Sequence, residues 1–62
     1  MKKDKIYIVY DERARTMDLC GCTVILSTQN KKFAFQEAEE SRGVIEECDF
    51  DGKTATNGVI IN

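Results

Sequence analysis

Histidine, proline and tryptophan are absent from the 62-residue sequence, and cysteine occurs only three times. Without histidine, the chain lacks the side chain that most often serves as a general base near neutral pH and that activates a nucleophilic cysteine. It also lacks a glycine-rich phosphate loop and a Gly-x-Ser-x-Gly elbow. We therefore expect a protein that is not an enzyme and that holds no cofactor.

Long apolar runs are missing as well. The run near the N-terminus, Ile6 to Tyr10, falls short of the ~20 residues that span a bilayer and of the roughly 7–15 residues of a secretory signal core. An odd number of cysteines is typical of a reducing compartment. These features predict a cytoplasmic protein whose first strand begins close to the N-terminus.

The apolar fraction of 42% and the charged fraction of 32% fit a folded domain rather than a disordered tail. A chain this short supports one domain at most, over residues 1–62. Its core is expected to supply no more than roughly 3–5 kcal/mol.

The first half of the chain predicts two strands and a helix. Ile6–Tyr10 and Cys22–Leu26 are rich in β-branched residues, and the first also in tyrosine, which favours strands. Ser27, Thr28 and Asn30 are helix-start residues, with Asn30 as the expected N-cap. The helix would bury a stripe of Ala34, Phe35 and Ala38 and end at Gly43 in a left-handed conformation.

The second half predicts a hairpin. Val44–Phe50 is the third strand, and Asp51-Gly52 is typical of a two-residue type I′ turn. Lys53–Thr56 would return antiparallel, Asn57-Gly58 would form a second turn, and Val59–Ile61 would be a last strand or tail. The expected fold is therefore α+β: a small, mainly antiparallel sheet of three to four strands with one helix packed on one face, in the order ββαβ(β).

Glu46 interrupts the pattern of the third strand, because it shares a face with the apolar Val44, Cys48 and Phe50. Two explanations stay open at this point. The strand carries a bulge, or that face of the sheet is only partly covered.

The segment "DLCGC", Asp18 to Cys22, is the most unusual in the chain. A structural zinc site needs four ligands, usually with a Cys-x2-4-Cys spacing, whereas Cys20, Cys22 and Cys48 would need Asp18 or Asp49 as the fourth. A Cys20–Cys22 disulfide would close a strained ring. We expect no metal, and three cysteines that behave as small apolar residues.

Charge is unevenly distributed. Residues 36–62 contain seven acidic and two basic side chains, whereas residues 1–35 contain four acidic and seven basic ones. The acids either form solvated faces or form a patch that meets a basic partner. They are Glu37, Glu39, Glu40, Glu46, Glu47, Asp49 and Asp51.

The basic residues suggest a different kind of site. Arg13 and Arg15 in "DERAR" follow the first strand, and with Lys31 and Lys32 they could hold an anion if the fold gathers them. The ordinary interpretation is a surface loop whose charges pair with one another. The apolar C-terminal "GVIIN" lacks charge, so its edge could pair with another copy to give a homodimer.

The segments "KIYIVYDERA" and "GVIEECDFDGKTATNG" resemble small uncharacterised proteins of phages, prophages and bacteria. Those proteins share a tyrosine-rich first strand ending in Asp-Glu-Arg-Ala, and a Gly-Val-Ile strand that leads into an Asp-x-Asp-Gly-Lys turn. In size and acidity the chain is also similar to phage-encoded inhibitors of bacterial defence, including anti-CRISPR proteins. The resemblance implies a host protein as partner, such as a nucleic-acid-binding complex, met in the host cytoplasm. The Cys-Gly-Cys segment departs from this pattern.

Two functional hypotheses follow. The first is a non-enzymatic interaction protein that blocks a host protein through the acidic residues of its second half. The second is a small oligomeric binder that sequesters an anionic metabolite or nucleotide through Arg13, Arg15, Lys31 and Lys32. Neither hypothesis involves direct binding to nucleic acid or to a membrane.

Overall fold

The computed structural model describes residues 4–16 and 21–62, which form one four-stranded antiparallel sheet and one α-helix. The strands lie side by side in the order β2-β1-β3-β4, and the helix connects β2 to β3. The predicted α+β class is confirmed, with the order ββαββ. The elements are β1 (Asp4–Tyr10), a short 3-10 helix (Glu12–Arg15), β2 (Val24–Thr28), α1 (Lys31–Ser41), β3 (Val44–Phe50) and β4 (Ala55–Ile60).

The two central strands, β1 and β3, pair without a register shift from Asp4 opposite Phe50 to Tyr10 opposite Val44. Because side chains alternate between the faces of a strand, this register sorts residues onto two faces. Tyr7, Val9 and Ile45 point to the helix side and form the core with Ala34 and Ala38 of α1.

Helix α1 begins as predicted. The Asn30 side-chain oxygen accepts the backbone N–H of Phe33 at 3.0 Å, so Asn30 is the N-cap. Ala34 and Ala38 are buried, but Phe35 is 39% exposed, so its predicted place in the buried stripe is wrong. At about 100° per residue, Phe35 lies a quarter-turn away from Ala34 and leaves the sheet contact.

The helix ends differently from the prediction. Arg42, with φ of 59°, adopts the left-handed conformation that we expected at Gly43. The Gly43 N–H donates to the carbonyl of Ala38 at 2.8 Å. Gly43 is required for another reason, because a Cβ there would overlap the backbone carbonyl of Tyr10.

Strand β2 lies two residues later than predicted. Ser27 and Thr28 belong to it, opposite Ile8 and Tyr7 of β1, although their residue types favour a helix start. Pairing with β1 satisfies their backbone groups, and this tertiary contact outweighs local preference. The Thr28 hydroxyl still accepts the N–H of Asn30 at 3.1 Å.

The predicted β3–β4 hairpin is present, but the prediction that a two-residue type I′ turn closes it is wrong. The connection is Asp51–Thr54, and only Gly52, with φ of 102°, has a positive φ within it. The Asp51 carboxylate accepts the N–H groups of Lys53 and Thr54, each at 2.8 Å. A side chain therefore organises this turn, so the second positive φ of a type I′ turn is not needed.

This turn predicts a loss of stability in acid. Hydrogen bonds from Thr54 and Lys53 lower the pKa of Asp51 below its ordinary value of 3.8. A lowered pKa means that the carboxylate stabilises the fold above the ordinary value, and that this stabilisation disappears as the pH falls through the lowered one. We expect the urea midpoint to drop below about pH 4.

The matched variant is Asp51→Asn, which removes the titrating group. It should lower the urea midpoint at neutral pH and make the decline in acid shallower than in the wild type. Some decline should persist, because Arg13 lowers the pKa of Asp11 as well. Identical slopes for the two proteins would show that Asp51 does not stabilise the fold.

Asn57-Gly58 does not form the predicted second turn. Strand β4 runs through both residues, and the register against β3 shifts between Glu47 and Asp49. Asn57, with φ of 57°, lies at this irregularity, which places a bulge in β4 opposite Cys48. The positive φ that suggests a turn serves the bulge instead.

The structure also decides between the two explanations for the position of Glu46 in β3. Strand β3 pairs regularly with β1, so Glu46 is not displaced by a bulge of its own strand. Glu46 lies opposite Ile8, on the face of the sheet away from the core. The second explanation, a partly covered face, is the one that agrees with the structure.

Candidate functional site

The seven predicted acidic residues do not form one patch. Asp51 organises the hairpin turn, and Asp49 forms an ion pair with Lys5. Glu47 lies opposite Tyr7 on the helix side of the sheet, and its carboxylate, after burial, raises the pKa of Tyr7. Glu46 lies on the other face. The seven acids are thus divided among both faces of the sheet, the hairpin turn and α1.

The other three acids lie on α1. Glu39 and Glu40 are exposed, and Glu37 is half-buried one turn before Glu40. A hydrogen bond with Glu40 is the main reason that the pKa of Glu37 is raised. Within residues 4–16 and 21–62 the ion pairs are Lys5–Asp49 and Arg13–Asp11, so these three acids take part in none.

Phe33 lies beside these acids and was not predicted as a site residue. It is 43% exposed and occupies the same stripe of the helix as Glu37 and Glu40, four and seven residues later. Its position one residue before the buried Ala34 is the sequence signal that it points outward. We name Phe33, Glu37 and Glu40 the acidic helix surface. Glu39, two residues after Glu37, lies about 200° around the helix from it and so points to another side.

The four predicted anion-binding residues are also separated. Arg13 donates from Nε and Nη2 to the Asp11 carboxylate, at 3.2 and 3.0 Å, and from Nη2 to the hydroxyl of Thr23 at 3.1 Å. The Asp11 carboxylate raises the pKa of Arg13. Its guanidinium thus holds the 3-10 helix to the start of β2.

Arg15 lies at the opposite end of the helix from the two lysines. It donates from Nε to the Arg42 carbonyl at 2.9 Å and from Nη2 to the Gly43 carbonyl at 3.3 Å. Lys31 begins α1, so it is about 16 Å from Arg42 along the helix axis. The structure places Arg15 next to Arg42, a residue that was not predicted for this site.

These two arginines line a cleft of about 450 Å³ at the end of α1. Asn62 fixes one wall, since its amide oxygen accepts the Ile45 N–H at 2.7 Å and its amide nitrogen donates to the Gly43 carbonyl at 3.2 Å. Two arginines and one glutamate are the charged residues of its lining. We name it the arginine cleft, lined by Arg15, Phe35, Ala38, Glu39, Arg42 and Asn62.

The cysteines that the structure describes, Cys22 and Cys48, do not form a recognisable functional site. Asp18 and Cys20 lie outside the described residues. Cys48 is buried within the sheet, and burial, followed by the Glu46 charge, raises the pKa of its thiol. A raised thiol pKa disfavours the reactive thiolate. Within the described ranges, no three potential metal-ligating side chains converge.

Comparisons with known proteins add no relative to this description. No protein-family model, curated protein or solved structure matches the chain. Among the described helices, none is long and apolar enough to cross a membrane. The resemblance to phage proteins therefore stays a prediction.

Proposed function

We propose that this chain is a non-enzymatic interaction protein whose acidic helix surface binds a basic surface of a host protein. The observation that carries the proposal is the grouping of Glu37 and Glu40 on one stripe of the helix, outside the described ion pairs and beside an exposed Phe33. A regular helix presents them on a rigid support.

The grouping of these acids is unfavourable for the helix itself. Like charges one turn apart destabilise a helix by roughly 0.2–0.5 kcal/mol, so the pairing of Glu37 with Glu40 does not serve the fold. A cationic partner removes the repulsion and steers the encounter. An exposed aromatic residue supplies the apolar contact on which binding energy usually concentrates.

The partner would therefore combine basic residues with an apolar pocket. Basic grooves of this kind accept nucleic-acid phosphates, and an acidic helix can occupy such a groove by matching their charge. This agrees with the partner that the phage resemblance implies, a nucleic-acid-binding complex of the host cytoplasm. An inhibitor of a bacterial defence complex would act in this way.

Charge reversal tests the proposal. Glu37→Lys with Glu40→Lys should reduce, by at least about tenfold at low salt, the capture of basic proteins from a bacterial lysate by the immobilised chain. The control combines Glu12→Lys, Thr16→Lys and Gln29→Lys, which produces the same change in net charge at exposed positions elsewhere. Quantitative mass spectrometry compares the bound proteins.

The control should retain the proteins that the double variant loses, and circular dichroism should show that both variants fold. A captured protein, once purified, should also bind duplex DNA less tightly when the wild-type chain is present. Equal capture by the double variant and the wild type would contradict the proposal.

The arginine cleft favours a second candidate function, the binding of a small anion. Two carbonyl groups hold the Arg15 guanidinium in place, and several of its N–H donors remain for a ligand. Arg42 stays in a left-handed conformation that costs about 1–2 kcal/mol for a residue with a Cβ. The proposed homodimer through the β4 edge would accompany this function.

Inorganic phosphate and adenosine monophosphate are suitable probes for this candidate. Arg42→Gln should weaken their binding about tenfold in calorimetry, the effect of losing one charged hydrogen bond. Arg13→Gln is the control, because Asp11 already occupies that guanidinium. Unchanged binding in Arg42→Gln, or no binding by the wild type, would exclude the cleft as an anion site.

A further inference from the structure

We propose that the sheet face opposite α1 is a second interaction surface, which fits a protein partner that presents a lysine or arginine among apolar side chains. We name it the open sheet face and define it by Ile6, Ile8, Glu46, Phe50 and Ile60. It is separate from the acidic helix surface and does not depend on the function proposed above.

Strand register places these residues on one face. Ile6 lies opposite Cys48, Ile8 opposite Glu46, and Glu46 opposite Ile60 of β4. The core residues occupy the alternate positions and point to α1. Within the described part of the chain the α-helix therefore covers one face, and apolar side chains line the other.

Several apolar side chains on this face are not fully buried, although Val44 and Cys48 are. Ile6, Ile8 and Phe50 are half-buried, and Ile60 is 45% exposed. A contiguous apolar surface on a small domain usually marks a contact site. A partner that covers the face would add the apolar burial that so short a chain cannot supply from its own core.

The polar group of this face is held in a defined position. Glu46 accepts the Tyr10 hydroxyl at 3.0 Å and packs over Gly58, where a Cβ would overlap its carboxylate. Burial, together with Glu46, raises the pKa of Tyr10 to about 12, so the tyrosine remains a neutral donor at physiological pH. The carboxylate is thus oriented but not neutralised by this contact.

Charge identifies the partner. By their register, Asp4 and Glu46 lie on this face, and the described residues of the four strands place no lysine or arginine there. A second copy packed face to face would bring carboxylates together, which is unfavourable in a dry interface. A lysine or arginine flanked by apolar residues satisfies both the carboxylate and its surroundings.

Selection from a displayed random-peptide library against the immobilised chain tests this inference. Selected peptides should combine apolar residues with a lysine or arginine. Glu46→Gln, which keeps an acceptor for Tyr10, should weaken their binding about tenfold through loss of the charged contact. Ile60→Ser should also weaken binding. Val59→Ser is the matched control, because Val59 is 60% exposed and points to the other face.

Several results would overturn the inference. A library that yields no binder, peptides without basic residues, or equal binding by wild type and Glu46→Gln would each do so. A dimer in sedimentation equilibrium that Ile60→Ser dissociates and Val59→Ser does not would assign the face to a second copy instead. Neither the peptides nor the dimer involves Glu37 and Glu40, so failure here is distinct from failure of the acidic helix surface.

Discussion

Ile45→Ala is expected to leave much of the chain unfolded at room temperature. Ile45 and Val9 are the largest fully buried side chains, and they lie opposite each other at the centre of the sheet. Truncation of a buried isoleucine to alanine costs about 2–5 kcal/mol, through lost burial and the cavity that remains. That loss equals most of the roughly 3–5 kcal/mol that a core of this size supplies.

Urea unfolding followed by circular dichroism measures this effect. Ile45→Val removes a single methyl group and should cost about 0.5–1.5 kcal/mol. Val59→Ala, at a side chain that is 60% exposed, should change the free energy of unfolding by less than about 0.5 kcal/mol. If Ile45→Ala unfolded at the same urea concentration as Val59→Ala, Ile45 would not belong to the core.

Gly43→Ala should have the second-largest effect, although it adds only a methyl group. That methyl would overlap the carbonyl oxygen of Tyr10. Tyr10 belongs to a strand that is paired on both sides, so its backbone cannot move without breaking sheet hydrogen bonds. We expect a loss of about 3 kcal/mol, at the upper end of overpacking effects.

Two further variants separate steric overlap from backbone conformation. Gly52→Ala has no atom within 4 Å of the new Cβ, so only its positive φ of 102° should matter, at about 1 kcal/mol. Arg42→Gly should increase stability by about 1 kcal/mol, because glycine adopts the left-handed conformation freely. A Gly43→Ala protein as stable as Gly52→Ala would show that the helix end can yield.

Local chemistry accounts for the parts of the fold that were predicted. Asn30 caps α1 through a hydrogen bond to Phe33, three residues away. The β-branched character of Ile6–Tyr10 and Val44–Phe50 favours strands wherever they pair. Such signals act within a few residues, so they can be read along the chain.

The sequence-based predictions were wrong where the same residues are compatible with two local structures. Asn57-Gly58 offers a positive φ, which a turn or a bulge can use, and pairing of β4 with β3 selected the bulge. Ser27 and Thr28 suit a helix start or a strand end, and pairing with β1 selected the strand. In both cases the deciding hydrogen bonds come from residues distant in sequence.

In the candidate sites, too, local spacing predicts some groupings of residues and only the folded structure reveals others. Glu37 and Glu40 stay together because helix periodicity keeps residues three apart close, whereas Glu46 and Glu47 separate because consecutive strand residues point to opposite faces. Arg15, Arg42 and Asn62 meet only after the chain has folded. Arg15 reaches the Arg42 carbonyl at 2.9 Å, a contact that no local pattern indicates.

The sequence by itself determined the types of elements, their order and the acidic character of α1, because these depend on backbone preferences and on spacing along one helix. Only the tertiary structure decided which strands are central, that Gly43 must lack a side chain, and which residues share the open sheet face. The physical reason is strand register, which depends on how the whole core packs and on hydrogen bonds between residues far apart in the chain.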